Sequence, residues 1–141
     1  MEERNKIIEE IMNYIEETNE PERLRQDLQC MINGPEAIID LDITDVEICY
    51  QGRKLPKGKV FRIKMVNEMR EEQMIQEIKN CVESLEHKMS GIIAGLRGNI
   101  SLFDVEKFIS PVAKTAGDDV NIIFSASFEP DTETELLLIA M

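Results

Sequence analysis

The segment from Ser90 to Ala140 limits the folds open to this chain more than any other feature. Ser90 to Leu96 is a short apolar run bounded by glycines, which reads as a buried strand. Ser101-Leu102-Phe103-Asp104 then opens a helix with an N-terminal capping signature. Phe103, Phe108, Ile109 and Val112 supply the buried side of that helix, and Gly117 ends it. Two further β-rich runs follow, Val120 to Phe128 and Glu135 to Ala140, joined by Glu129-Pro130-Asp131-Thr132. Strand, helix, strand and strand in so short a stretch require a sheet with helical cover.

Upstream, Glu3 to Thr18 places Ile7, Ile8, Ile11, Met12 and Ile15 at helical spacing with acids on the other side. Asn19 and Glu22 form a capping box for a second helix, with Pro21 in its first turn. Leu24, Leu28, Met31 and Ile32 line one face of it, and Asn33-Gly34-Pro35 stops it. Ala37 to Val46 is an apolar run punctuated by three carboxylates. Residues 43–50 suit either a strand (Val46, Ile48 and Tyr50 alternate) or a helix ended by Gly52. Lys59 to Val66 alternates like a strand, and Glu68 to Glu86 is a helix carried by Met74, Ile75, Ile78, Val82 and Leu85. The expected architecture is α+β: a two-layer sandwich, with helices on one face of a mixed four-stranded sheet and N-terminal helices ahead of it.

A net charge of −12 repels a polyanion, so nucleic acid is not an expected partner. From Gln51 to Asn67, however, the chain carries Arg53, Lys54, Lys57, Lys59, Arg62 and Lys64 and no acid. That run reads as a solvated hairpin or strand edge, where lysine discourages edge-to-edge pairing, or as a docking patch for an acidic partner. No apolar stretch approaches the roughly 20 residues of a membrane span, so no membrane partner is expected. The charged, acidic opening residues are unlike a secretory or transit peptide, which makes the expected location cytoplasmic. Cys30, Cys49 and Cys81 sit in apolar patterns and read as reduced core residues. One histidine and no Cys-x-x-Cys pair leave no zinc site in view. His87 reads as a solvated residue at a helix end, and Met65, Met69, Met74 and Met89 as core.

Three stretches, in order, resemble the FtsZ/tubulin-like family. Gly91-Ile92-Ile93-Ala94-Gly95-Leu96-Arg97-Gly98, with Ser101-Leu102-Phe103-Asp104-Val105 after it, is similar to the FtsZ strand, glycine turn and "SLFEV" helix start. Asp119 to Asp131 is similar to the family's "DANIIFGAVIDPE" strand, and Glu133 to Ala140 to its last strand. Upstream, Leu24-Arg25-Gln26 resembles the end of the long helix joining the two FtsZ domains. Ala37 to Val46 resembles the catalytic loop "GLINLDFADV". The resemblance covers about residues 22–140 and implies a division into an N-terminal amphipathic helix, 1–20, and an FtsZ C-terminal-like domain, 21–141. It also favours a short helix at 43–50.

In this family the catalytic loop acts in trans, its carboxylates orienting the water that attacks a neighbouring subunit's γ-phosphate. The resemblance places Asp42 and Asp45 at the acidic positions of that loop, their spacing putting both on one face of a turn. Asp40 departs from the family's amide: an ionised carboxylate cannot donate a hydrogen bond and adds repulsion against a triphosphate. The same carboxylates also read simply as a solvated turn that caps the next helix. The glycine-rich phosphate loop and the C-terminal tail of FtsZ have no counterpart in the sequence. The expectation is therefore no GTPase activity alone and no cofactor, with GTP and Mg reached only through a partner subunit. Three functions follow as alternatives: an assembly module for an FtsZ-type filament or another division protein; one part of a split or larger FtsZ-like GTPase; or a small-molecule binding module. A homo-oligomer through the first helix fits all three. So does that helix folding back on its own core.

Overall fold

The structure, a computed structural model, describes residues 2–32, 37–64, 71–85 and 89–141, the side chains of Glu71 and Met74 excepted. The expected stop at Asn33-Gly34-Pro35, the ends of the 59–66 strand and of the 68–86 helix, Met65, Met69, His87 and the Met74 side chain lie outside the described residues.

Two strands, β3 (Gly91–Gly98) and β5 (Glu135–Ala140), are buried along almost their whole length. Their apolar residues run consecutively, as in Ile92-Ile93-Ala94 and Leu136-Leu137-Leu138-Ile139, and such a strand needs cover on both faces. With β1 (Ala37–Ile39), β2 (Lys59–Lys64) and β4 (Asn121–Phe128) they form one five-stranded sheet ordered β1-β4-β3-β5-β2. β3 runs parallel to β4, and every other pairing is antiparallel. β4 and β5 follow each other in the chain yet never pair, because β3 lies between them.

The α+β class and the mixed sheet are as expected, with two corrections. The strands number five, because Ala37–Ile39 pairs with the end of β4. The helices cover both faces, not one. Against one face pack α4 (Glu71–Glu83) and α5 (Leu102–Ala116), where Ile78, Val105, Ile109 and Val112 meet Ile92, Leu96, Leu136 and Leu138. Against the other pack α1 (Glu2–Tyr14), α2 (Pro21–Met31) and α3 (Ile43–Gln51), closing over Ile93, Leu137 and Ile139. The alternate residues of one strand thus feed two cores.

α1 ends at Tyr14, before the expected Thr18. Ile15 leaves the helix to bridge Gly58 in parallel, and Glu16 N–H donates to the Gly58 carbonyl at 2.9 Å. The Asn19–Glu22 capping box does not form: Glu20 holds the cap position with no side-chain capping bond, Pro21 starts the helix, and Glu22 pairs with Arg25. Ile7, Ile8, Ile11 and Ile15 are all buried in the chain's own core. The apolar stripe that a dimer through this helix would use is therefore covered internally. No helix among the described residues is long and apolar enough to cross a membrane.

Candidate functional site

α3 is a helix, and the preceding loop is fixed from both sides. Leu41 is buried, donates its N–H to the Met31 carbonyl at 2.7 Å and bridges Ile32. Asp42 is the N-cap: its carboxylate accepts from Thr44 N–H at 3.0 Å. Such a cap contributes about 1 kcal/mol. Asp45 lies in the first turn, where a negative charge meets the positive end of the helix dipole. Asp40, Asp42 and Asp45 are all exposed, on a loop whose backbone is anchored to α2 and whose helix is pinned by buried Val46 and Cys49. The three acids are thus exposed along the β1–α3 loop and the first turn of α3, and Asp42 caps that helix.

The basic run is not brought together. Arg53 stacks 4.1 Å over the Tyr50 ring and 5.3 Å over that of Tyr14. Lys59 pairs with Glu16 at 2.9 Å, and Arg62 turns toward buried acids. Lys54, Lys57 and Lys64 remain exposed. β2 is an edge strand, so the strand-edge reading describes Lys59, Arg62 and Lys64. Cys49 is buried as expected, and burial pushes its thiol up to about 11. Cys81 is half-buried. Cys30 is exposed, off the Leu24, Leu28, Met31 stripe of α2.

The densest charge cluster was not visible in the sequence. Asp27 and Glu135 are each 4% exposed, the most deeply buried carboxylates among the described residues. Arg23 donates to both oxygens of Glu135 at 2.9 Å, and Arg62 donates to its Oε1 at 2.9 Å. Arg62 also lies 2.8 Å from Asp27 Oδ2, an ion pair off the hydrogen-bond direction, since that oxygen accepts no hydrogen bond. Arg97 donates to Asp27 Oδ1 and forks onto Glu129 at 2.6 and 2.8 Å. Three arginines and three acids therefore tie α2 to the end of the sheet where β3 stops and β5 starts. Burial would push the Glu135 carboxyl up, but the hydrogen bonds from Arg23 and Arg62 hold it below the ordinary range. The sequence carried one signal: Asp27 falls on the apolar stripe of α2.

Beneath this network is a cavity of only about 30 Å³, lined by Asp27, Met31, Gly95, Arg97 and Ser125 among others. That is room for a water, not for a metabolite. Among the described residues no three His, Cys, Asp or Glu side chains converge to hold a metal ion.

One further corner departs from expectation. Phe103, expected in the core, is 87% exposed, beside Leu102 at 65%, and Phe128 is 51% exposed. The buried side of α5 runs through Val105, Ile109 and Val112, and Phe103 points elsewhere.

No protein-family model matches this chain, and no curated protein matches it. Solved structures do. A point mutant of FtsZ from M. jannaschii is 14% identical, with a TM-score of 0.61 over 86% of this chain and 38% of its own. The empty FtsZ dimer from M. jannaschii is 16% identical, with a TM-score of 0.60 over 85% of this chain and 37% of its own. The chain thus spans well under half the length of the FtsZ structures it matches. At this identity the likeness is one of fold: these residues adopt the α+β fold of an FtsZ C-terminal-like domain.

Proposed function

We propose that these residues act as an FtsZ-like assembly module, a domain that docks on an FtsZ-type GTPase or another division protein and has no GTPase activity by itself. The observation that carries this reading is the β1–α3 loop. It holds Asp40, Asp42 and Asp45 exposed on a backbone anchored at Leu41 and Val46, within a fold similar to that of FtsZ. An ordered acidic loop costs little further conformational entropy on docking. Docking is favoured over hydrolysis in trans because one oxygen of Asp42 is already held by Thr44 N–H, and because Asp40 adds charge that a triphosphate would oppose. A domain that offers this loop without a nucleotide face would end a filament, not extend it.

The test is the GTPase rate and sedimentation of FtsZ from the same cells, with increasing amounts of this protein. Inhibition or shortening of polymers that the Asp42→Ala/Asp45→Ala variant loses supports docking through the loop. No effect from the unaltered protein, at concentrations matching FtsZ, sinks the proposal.

A further inference from the structure

Leu102, Phe103 and Phe128 share one corner of the molecule. Gly98, the last residue of β3, is level with Phe128 in the parallel register, and α5 begins a few residues beyond Gly98. Side chains alternate along β4, and Ile122, Phe124 and Ala126 all face the core under α5, so Phe128 projects on the α5 side. At their observed exposure the three side chains leave on the order of 300–400 Å² of apolar surface. The largest apolar patch on a monomer is commonly about that size and often functional. This one falls short of the roughly 800 Å² per partner of a standard interface, so it fits a short element better than a second globular face.

Charge and backbone decide what that element is. Among the described residues around the patch, Asp104, Glu106, Asp131 and Glu133 oppose one base, Lys107, whose ammonium lies 5.9 Å from the centre of the Phe108 ring. An anionic membrane and a nucleic acid would bring like charge against that rim, and a second copy of this chain carries the same net charge of −12. Three backbone donors at the corner are already used: Glu129 and Ile100 donate to the Gly98 carbonyl at 2.7 and 3.0 Å, and Ser101 N–H donates to Asp104 at 2.9 Å. Recognition by the exposed Leu102, Phe103 and Phe128 therefore falls to side chains. We propose that this corner binds a short basic amphipathic helix of a partner protein, its Leu or Phe residues on Phe103 and its Lys or Arg residues on the acidic rim. The inference goes beyond the loop reading, since it needs neither Asp42 nor nucleotide.

The probe is a fluorescein-labelled amphipathic Leu/Lys helical peptide, titrated by anisotropy at physiological salt against the unaltered protein, Phe103→Ser and Phe128→Ser. A Leu/Glu peptide of the same pattern serves as the control. Phe103→Ser keeps the net charge and alters a residue outside the core, so its urea midpoint should match that of the unaltered protein. Saturable one-to-one binding, weakened tenfold or more by Phe103→Ser and absent with the Leu/Glu peptide, is the expected result. Equal binding by Phe103→Ser would show simple charge attraction and overturn the proposal. So would equal binding of the Leu/Glu peptide, no saturable binding, or self-association that Phe103→Ser abolishes. Failure here would leave the FtsZ test intact, because the Asp42→Ala/Asp45→Ala variant does not alter this corner.

Discussion

Replacing Arg62 with methionine should expose how much the buried charge network contributes. Arg62 is the cation shared by Asp27 and Glu135, at 2.8 and 2.9 Å, and methionine keeps much of its apolar stem while deleting the guanidinium. Orphaning a buried charge costs about 3–5 kcal/mol. Here each acid keeps one partner, Arg97 for Asp27 and Arg23 for Glu135, and the Arg62 side chain is 21% exposed. The expected loss is therefore lower, about 2–3 kcal/mol. With a urea slope of about 2 kcal/mol/M, the unfolding midpoint would fall by about 1–1.5 M. The pH dependence supplies a second check. Glu135 has a folded-state pKa below its unfolded value, so its contribution is full above the unfolded value of about 4.3 and is lost as pH falls through the folded value. Without Arg62 that depression shrinks. The gap between the two proteins should be widest near neutrality and should close as pH falls through the carboxylate range. A gap under about 1 kcal/mol at pH 7 would mean that solvent screens the network. A gap constant from pH 7 to pH 3 would mean that packing, not charge, is lost.

Other changes test separate parts of the fold. Gly91→Ala would place a Cβ 2.6 Å from Cys49 Sγ and 3.1 Å from the Asn121 carbonyl oxygen, an overpacking expected to cost about 1–3 kcal/mol in urea unfolding. Adding Cys49→Ala should recover part of that loss, and no recovery would place the strain elsewhere. Ile11→Ala, at a site with no exposure, should cost about 2–5 kcal/mol within a single transition; a separate early transition would mean that α1 detaches from the core. Asp42→Ala should cost about 1 kcal/mol through loss of the α3 cap, and an unchanged urea midpoint would contradict the capping role.

What could be read from the sequence was what repeats locally. The stripe Ile7, Ile8, Ile11 and Ile15 marked α1, and the alternation Phe61, Ile63 marked β2, because burial of one face imposes a period on the chain. Residues 43–50 stayed open by pattern, since Val46, Ile48 and Tyr50 satisfy the strand period while Val46, Cys49 and Tyr50 satisfy the helical one; the side chain of Asp42 on Thr44 N–H selects the helix. Phe103 was misplaced for a geometric reason: at about 100° per residue it stands far around the helix from Val105, Ile109 and Val112. Of the charge network only Asp27, on the apolar stripe of α2, left a trace in the sequence. The network's members sit on α2, β2, β3, the β4–β5 loop and β5, and nothing in their spacing brings Arg23 to Glu135 across 112 residues.

Two-sided cover of the sheet bears on where a partner can bind. Had the helices lain on one face, the odd-numbered residues Ile93, Leu137 and Ile139 would form an open apolar surface, the natural seat for another domain. Instead α1, α2 and α3 close over them, with Ile8 and Ile11 packed to at most 1% exposure. Recognition is thereby moved from the faces of the sheet to its margins. β1 pairs with the last residues of β4, one step from Phe128, and leads directly into Asp40, Asp42 and Asp45; α5 starts just past the end of β3. Because β1 runs antiparallel to β4, it carries the chain away from Phe128, so the acidic loop and the exposed phenylalanines lie apart. A partner gripping both would lose affinity in Asp42→Ala/Asp45→Ala and in Phe103→Ser, with the combined variant losing more than either. Two separate partners would each respond to only one of the changes.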